Sequence, residues 1–240
     1  MSNRSEWHSW NFGYDSSPPG LLGSRVRSRV SCAARLEGAP AFHAIESALP
    51  GGVVCPGFFS IALLRPPLER LVSHSVELAK WGMVVQDYKL HPNGTLKSTA
   101  LGVVGTGSCR NYSHLRALAP PVYDNYYVRV LLGEQGVAAP VGSLTRAHLA
   151  KAKRALSTLD LILDSNEPRT PPALQYATGI ANFTSCRKPK WLSRMHSCTM
   201  SAVDSARAAR DNKLDLELYA FALELSERQV TKILNRAAHV

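Results

Sequence analysis

Three residues in this chain combine types and spacing that could do chemistry: Arg65, Arg70 and Ser73, set in Arg65-x-Pro67-x-x-Arg70-x-x-Ser73. A guanidinium at the carboxyl end of a buried strand, with a hydroxyl about two turns into the next helix, can hold a phosphate at a sheet edge. The same residues would also suit an ordinary solvated helix start, because Arg and Ser are common there. The elements that must position them are legible. Phe58, Phe59, Ile61, Leu63 and Leu64 form an apolar run of strand length, and Pro66-Pro67 forbids its continuation. Pro67 suits a first helical turn, and Leu68, Leu71, Val72, Ser75, Leu78 and Ala79 then recur at helical spacing. The segment reads as strand, tight turn, helix.

These residues resemble the 3'-phosphate motif of sulfotransferases that use 3'-phosphoadenylyl sulfate (PAPS). The surrounding LLRPPLERLVSHSVELAKWG is most similar to the carbohydrate branch that contains the heparan sulfate 2-O-sulfotransferases. Three later segments follow in the family order. Asn125, Arg129, Leu131 and Gly133 are similar to an Asn-x-x-x-Arg-x-Leu-x-Gly stretch, residues 147–167 to a helix and short strand, and residues 214–222 to a closing Asp-x-x-Leu-Tyr-x-x-Ala helix. The resemblance spans roughly residues 58–230 and implies an α/β, P-loop-NTPase-like fold with a central parallel sheet flanked by helices. It also implies sulfuryl transfer from PAPS to a hydroxyl of an anionic or neutral glycan acceptor. Arg65 and Ser73 would grip the 3'-phosphate, with Arg70 serving the ligand or the fold.

The family's other half-site, a Pro-Lys-x-Gly-[Ser/Thr]-[Ser/Thr] loop for the 5'-phosphosulfate, is expected upstream of Arg65. Residues 1–57 contain no lysine and no such glycine arrangement, and Gly105-Thr106-Gly107-Ser108 reads as a loop. The expected domain therefore lacks the N-terminal strand and its phosphosulfate loop. His43, 22 residues before Arg65, stands where this branch carries a catalytic histidine, and imidazole suits the removal of a hydroxyl proton. A histidine in a short helix of ordinary sequence would look the same. His74 and His196 are weaker alternatives.

At 240 residues and 45% hydrophobic, the chain can bury the core of one α/β domain, expected over 38–240, after a Ser/Gly/Pro/Arg-rich arm at 1–37. The net charge of +10 favours polyanions without choosing among them. Arg146, Lys151, Lys153 and Arg154 form one basic run and Arg187, Lys188, Lys190 and Arg194 another, each equally readable as a solvated face. Five cysteines show no zinc-like spacing, so no metal is expected; Cys186 and Cys198 could close a loop in an oxidising compartment. Asn3, Asn93, Asn111 and Asn182 open four glycosylation sequons among nine asparagines, where chance would supply roughly one. That agrees with the Golgi lumen or secretory pathway the resemblance implies, although no signal or membrane-spanning segment is apparent.

Further along, a short helix is expected near 41–49 and an irregular loop over 88–122. A helix over 143–158, N-capped by Ser143, precedes a strand at 159–163. A loop-rich basic stretch then runs over 168–200, and two helices divide near Asp211-Asn212. Two other functional readings compete with catalysis. One is an inactive relative that binds nucleotide or sulfated glycan; the other is a basic nucleic-acid binder, for which no recognisable reading module is present.

Overall fold

The structure, a computed structural model, describes residues 49, 54, 57, 59–73, 112, 113, 116, 120–179 and 200–239. His43, His74, His196, the five cysteines, the four sequon asparagines, the 1–37 arm and the 187–194 basic run lie outside the described residues.

The first strand, β1 (Ile61–Leu64), lies parallel to β2 (Leu161–Asp164), with Ile61 opposite Leu161 and Leu64 opposite Asp164. Helix α1 (residues 67–73) follows β1 after the diproline, and the Arg70 N–H donates to the Pro66 carbonyl at 2.9 Å. A 3-10 turn (Pro120–Tyr123) leads into α2 (Tyr126–Leu131), α3 (Glu134–Ala138) and α4 (Arg146–Ser157). After β2 come α5 (Thr170–Thr178), α6 (Ala202–Asp211) and the long α7 (Lys213–Ala237). The chain is thus mixed α/β, mostly helical, with a two-stranded parallel sheet among the described residues.

Strand β2 alternates with period two and is buried on both faces, as a strand covered by helices on either side must be. Ile162 packs with Val128, Leu149, Ala152, Leu156, Leu214, Leu218 and Ala222, so α2, α4 and the first half of α7 cover one face. Leu161 and Leu163 turn the other way, towards Ala173 of α5 and Val230 of α7. Where α7 passes between the two clusters, Gln229 meets the strand. Its Oε1 accepts from the Ile162 N–H at 2.8 Å and its Nε2 donates to the Leu159 carbonyl at 3.0 Å.

Several boundaries differ from expectation for local reasons. The cap of α4 is Thr145, whose N–H donates to His148 Nδ1 at 3.0 Å, whereas the Ser143 hydroxyl turns back to the Pro140 carbonyl at 2.6 Å. Residues 170–178 are helical, not loop. Pro171 and Pro172 occupy the first turn, where a missing N–H costs nothing, the Thr170 hydroxyl donates to the Asp164 carbonyl, and Gly179 ends the helix at φ 69°. Within the expected 88–122 loop, Tyr112, Ser113 and Arg116 are helical and residues 120–123 form the 3-10 turn. The break near Asp211-Asn212 is where expected, with Asn212 between α6 and α7.

The Asn-x-x-x-Arg-x-Leu-x-Gly stretch resolves into structural roles. Asn125 takes φ 51° and Gly133 φ 71°, both in the left-handed region open to these residue types. Leu131 packs against the larger core, and Arg129 is fully buried. Gly136 fits against the same turn: a Cβ there would lie 2.4 Å from the Arg129 carbonyl oxygen and 2.6 Å from the Leu132 Cβ. We expect Gly136→Ala to cost about 1–3 kcal/mol through this overpacking. A urea midpoint equal to wild type would show that the α2–α3 junction yields more easily than that.

Candidate functional site

The carboxyl ends of parallel strands are where open α/β folds place ligands, and β1 delivers Arg65 there. Tyr127 of α2 fixes that strand end. Its hydroxyl donates to the Arg65 carbonyl at 2.9 Å and accepts from the Arg65 N–H at 3.2 Å, so one side chain holds both backbone polar groups. Burial raises the Tyr127 pKa above its ordinary value, although the Arg65 backbone contact and the nearby Arg70 charge oppose the shift; the hydroxyl keeps its proton and can donate. The Arg65 side chain is half-buried, and among the described residues no carboxylate pairs with it.

Helix α1 carries the other two residues. Ser73 is half-buried, two turns in. Arg70 is buried, with 9% of its surface exposed. Its Nη2 donates to the Val122 carbonyl at 2.8 Å, and the guanidinium lies 4.5 Å from the Tyr126 ring centre and 5.5 Å from that of Tyr127. Among the described residues its Nε and Nη1 find no hydrogen-bond acceptor. Arg70 therefore ties α1 to the 3-10 turn, while Leu71 beside it packs against Tyr112, Val122, Tyr123 and Ala208.

Beneath this unit lies a polar lock that links α2 to α7. Asp215, fully buried in the first turn of α7, accepts the Tyr127 and Val128 N–H groups through its two oxygens, both at 2.9 Å. Asn125 returns the favour: its Oδ1 accepts from the Leu214 N–H at 2.8 Å and the Asp215 N–H at 3.2 Å. Each helix thereby satisfies orphan donors of the other. Asn212, also fully buried, accepts from the Asn125 N–H and donates to the Tyr123 and Ala208 carbonyls. Burial pushes the Asp215 pKa up from 3.8 to about 6, against the downward pull of Arg70 and the two backbone N–H groups.

Two carboxylates at the same sheet end escaped the sequence reading, and Tyr219 beside them entered it only within the closing-helix pattern. Asp164 ends β2 opposite Leu64, and Glu69 of α1 accepts from Asn166 Nδ2 at 3.1 and 3.3 Å. The Tyr219 pKa is raised, first by burial and then by the neighbouring Asp164 carboxylate. Nothing local marks the two carboxylates; the three groups meet only because β2, α1 and α7 converge. The edge is thus divided, with Arg65, Arg70 and Ser73 offering donors while Asp164 and Glu69 present carboxylates. An anion would favour the Arg65–Ser73 side. A guanidinium at a strand end with no carboxylate partner among the described residues, and two buried donors behind it with no acceptor among them, are compatible with a phosphate group there.

The 144–154 basic run is a surface feature. Arg146 pairs with Glu217, Lys153 lies 5.1 Å from the Phe221 ring centre, and Lys151 and Arg154 are exposed. Among the described residues no group of histidines, cysteines or acids could hold a metal ion, and no helix is long and apolar enough to cross a membrane. Neither a family model, nor a curated protein, nor a solved structure matches the chain.

Proposed function

We propose that this protein binds PAPS and transfers its sulfuryl group to a hydroxyl of a carbohydrate acceptor, with Arg65 and Ser73 holding the 3'-phosphate. Arg65 carries the reading. It leaves the carboxyl end of a parallel strand, its backbone is clamped on both polar atoms by Tyr127, and among the described residues its guanidinium has no acidic partner. The parallel β1–β2 pair with helices over both faces of β2 is consistent with a sulfotransferase-type, P-loop-NTPase-like sheet. Arg70 belongs to the scaffold in this reading, because its buried contacts to Val122, Tyr126 and Tyr127 hold α1 in place.

In the transfer a sulfur–oxygen bond forms to the acceptor hydroxyl as the bond to the adenosine bisphosphate breaks, and the acceptor proton must leave. His43 is the candidate base on the strength of its spacing from Arg65. Catalysis of this kind rests on positioning and on stabilising charge at the leaving phosphate. The residues suited to that here are a half-buried arginine and a hydroxyl on one strand–turn–helix unit. A Golgi-lumenal setting with a glycan acceptor, and no specific nucleic acid, completes the reading.

The test is calorimetric titration of adenosine 3',5'-bisphosphate into the full chain, alongside transfer of labelled sulfate from PAPS to a panel of uronyl and galactosyl polysaccharides. Arg65→Ala should weaken nucleotide binding at least ~10-fold, the loss expected for one charge-assisted phosphate contact. Equal affinity in wild type and variant would reject the site. A second reading is a relative that binds nucleotide without transferring sulfate. Arg65-dependent nucleotide binding with no transfer to any acceptor would select it.

A further inference from the structure

Away from β1, residues of the 112–116 segment and of α6, with Val141 beside them, line a cleft of about 530 Å³ that collects three guanidinium groups, Arg116, Arg207 and Arg210, against one carboxylate, Asp211. The carboxylate is already committed. Its Oδ2 accepts from the Tyr112 hydroxyl at 3.1 Å and lies 3.4 Å from Arg116 Nε. That arrangement holds Arg116 in place without fully satisfying it, since Nε is buried and finds no hydrogen-bond acceptor among the described residues. From the other side, Arg207 Nη1 donates to the Ser113 hydroxyl at 3.2 Å. Arg207 and Arg210 are three residues apart on α6 and so share a helix face, and among the described residues neither pairs with a carboxylate. Both lie toward the carboxyl end of α6, whose dipole repels anions, so the guanidiniums alone must supply the attraction.

We infer that this cleft binds a tetrahedral oxyanion, the sulfate or phosphate monoester group of a larger ligand or the free ion. Guanidinium forks match the oxygens of such a group two at a time, and here two of the three are pre-positioned by Asp211 and Ser113, so less side-chain entropy is lost on binding. The cleft shares no residue with the Arg65 unit, and the inference does not depend on sulfuryl transfer.

The test uses the full chain at ~50 mM salt, where exposed charges are weakly screened. The probes are inorganic sulfate, inorganic phosphate, a sulfated tetrasaccharide and its desulfated, still carboxylated counterpart. Wild-type protein should bind both inorganic ions, and the sulfated sugar at least ~10-fold more tightly than the desulfated one, the difference expected of a recognised oxyanion rather than bulk charge. Comparable affinity for ion and sulfated sugar would identify the free ion as the source; much tighter sugar binding would identify the glycan. Arg207→Gln/Arg210→Gln, at exposed positions, should lose that binding ~10-fold or more with an unchanged melting temperature. The lysine pair should restore only part of it, since an ammonium lacks the planar fork. Arg207→Gln/Arg210→Gln should leave the Arg65-dependent binding of adenosine 3',5'-bisphosphate unchanged, which keeps a failure here distinct from a failure of the nucleotide site. Equal affinity for sulfated and desulfated sugars, or full affinity in the glutamine pair, would overturn the inference.

Discussion

Arg129→Met should destabilise the protein by about 3–5 kcal/mol, the cost of leaving one member of a buried ion pair alone. Arg129 is fully buried and all five of its N–H groups are used. Nε donates to the Asp124 carbonyl, Nη1 to the Gly136 and Ala139 carbonyls, and Nη2 to the Asp124 carboxylate and the Pro140 carbonyl. Methionine would leave those carbonyls and a 2%-exposed carboxylate without their donor. Among the described residues Asp124 would retain only the Asn125 side-chain amide and the Gly142 N–H. Urea denaturation would read the loss. Arg129→Met combined with Asp124→Leu should recover part of it, because the pair's value depends on both charges being present. A single variant costing less than about 1 kcal/mol would mean that water reaches the site.

The second large effect concerns Asp215. Asp215→Ala would strip the first turn of α2 of two acceptors and remove a carboxylate that interacts with the Arg70 charge, for an expected loss of about 3 kcal/mol. Its titration adds a pH signature of known sign. Because burial raises the folded pKa from 3.8 to about 6, the folded state holds this proton more tightly than the unfolded chain. Between pH ~4 and ~6 the folded protein therefore binds more protons, and this residue's contribution to stability falls as pH rises, levelling off above the window. Urea midpoints measured from pH 4 to 7 should show that slope in wild type and lose it in Asp215→Asn. An identical pH profile for the two would show that Asp215 titrates as it does in the unfolded chain.

The contrast between what was legible in the chain and what was not follows the range of the interactions. Strand β1 and helix α1 are written in a local pattern, an apolar run stopped by Pro66-Pro67 and resumed at helical spacing through Leu68 and Leu71. The α4–β2 succession and the α6–α7 break are local in the same sense. Helix α5 is short and opens on Thr-Pro-Pro, which resembles a loop until the Thr170–Asp164 contact is known. At the candidate site Arg65 and Ser73 were visible because they share nine residues of chain. Tyr127, which clamps Arg65, is 62 residues away, and the partners of Asn125 and Asp215 are 87 to 90 away. No periodicity encodes such pairings, so the residues 125–133 stood out only as a family-like pattern whose physical reason lay in α7.

The Gln229 contact has a directional consequence. In a parallel sheet each strand offers hydrogen bonds to both sides, and a bare edge recruits whatever extended chain arrives. On the outer side of β2 a glutamine amide stands in for a neighbouring strand, donating and accepting as a backbone would. That side is sealed from within by a helix. A strand arriving on that side would have to displace Gln229 from the Ile162 N–H.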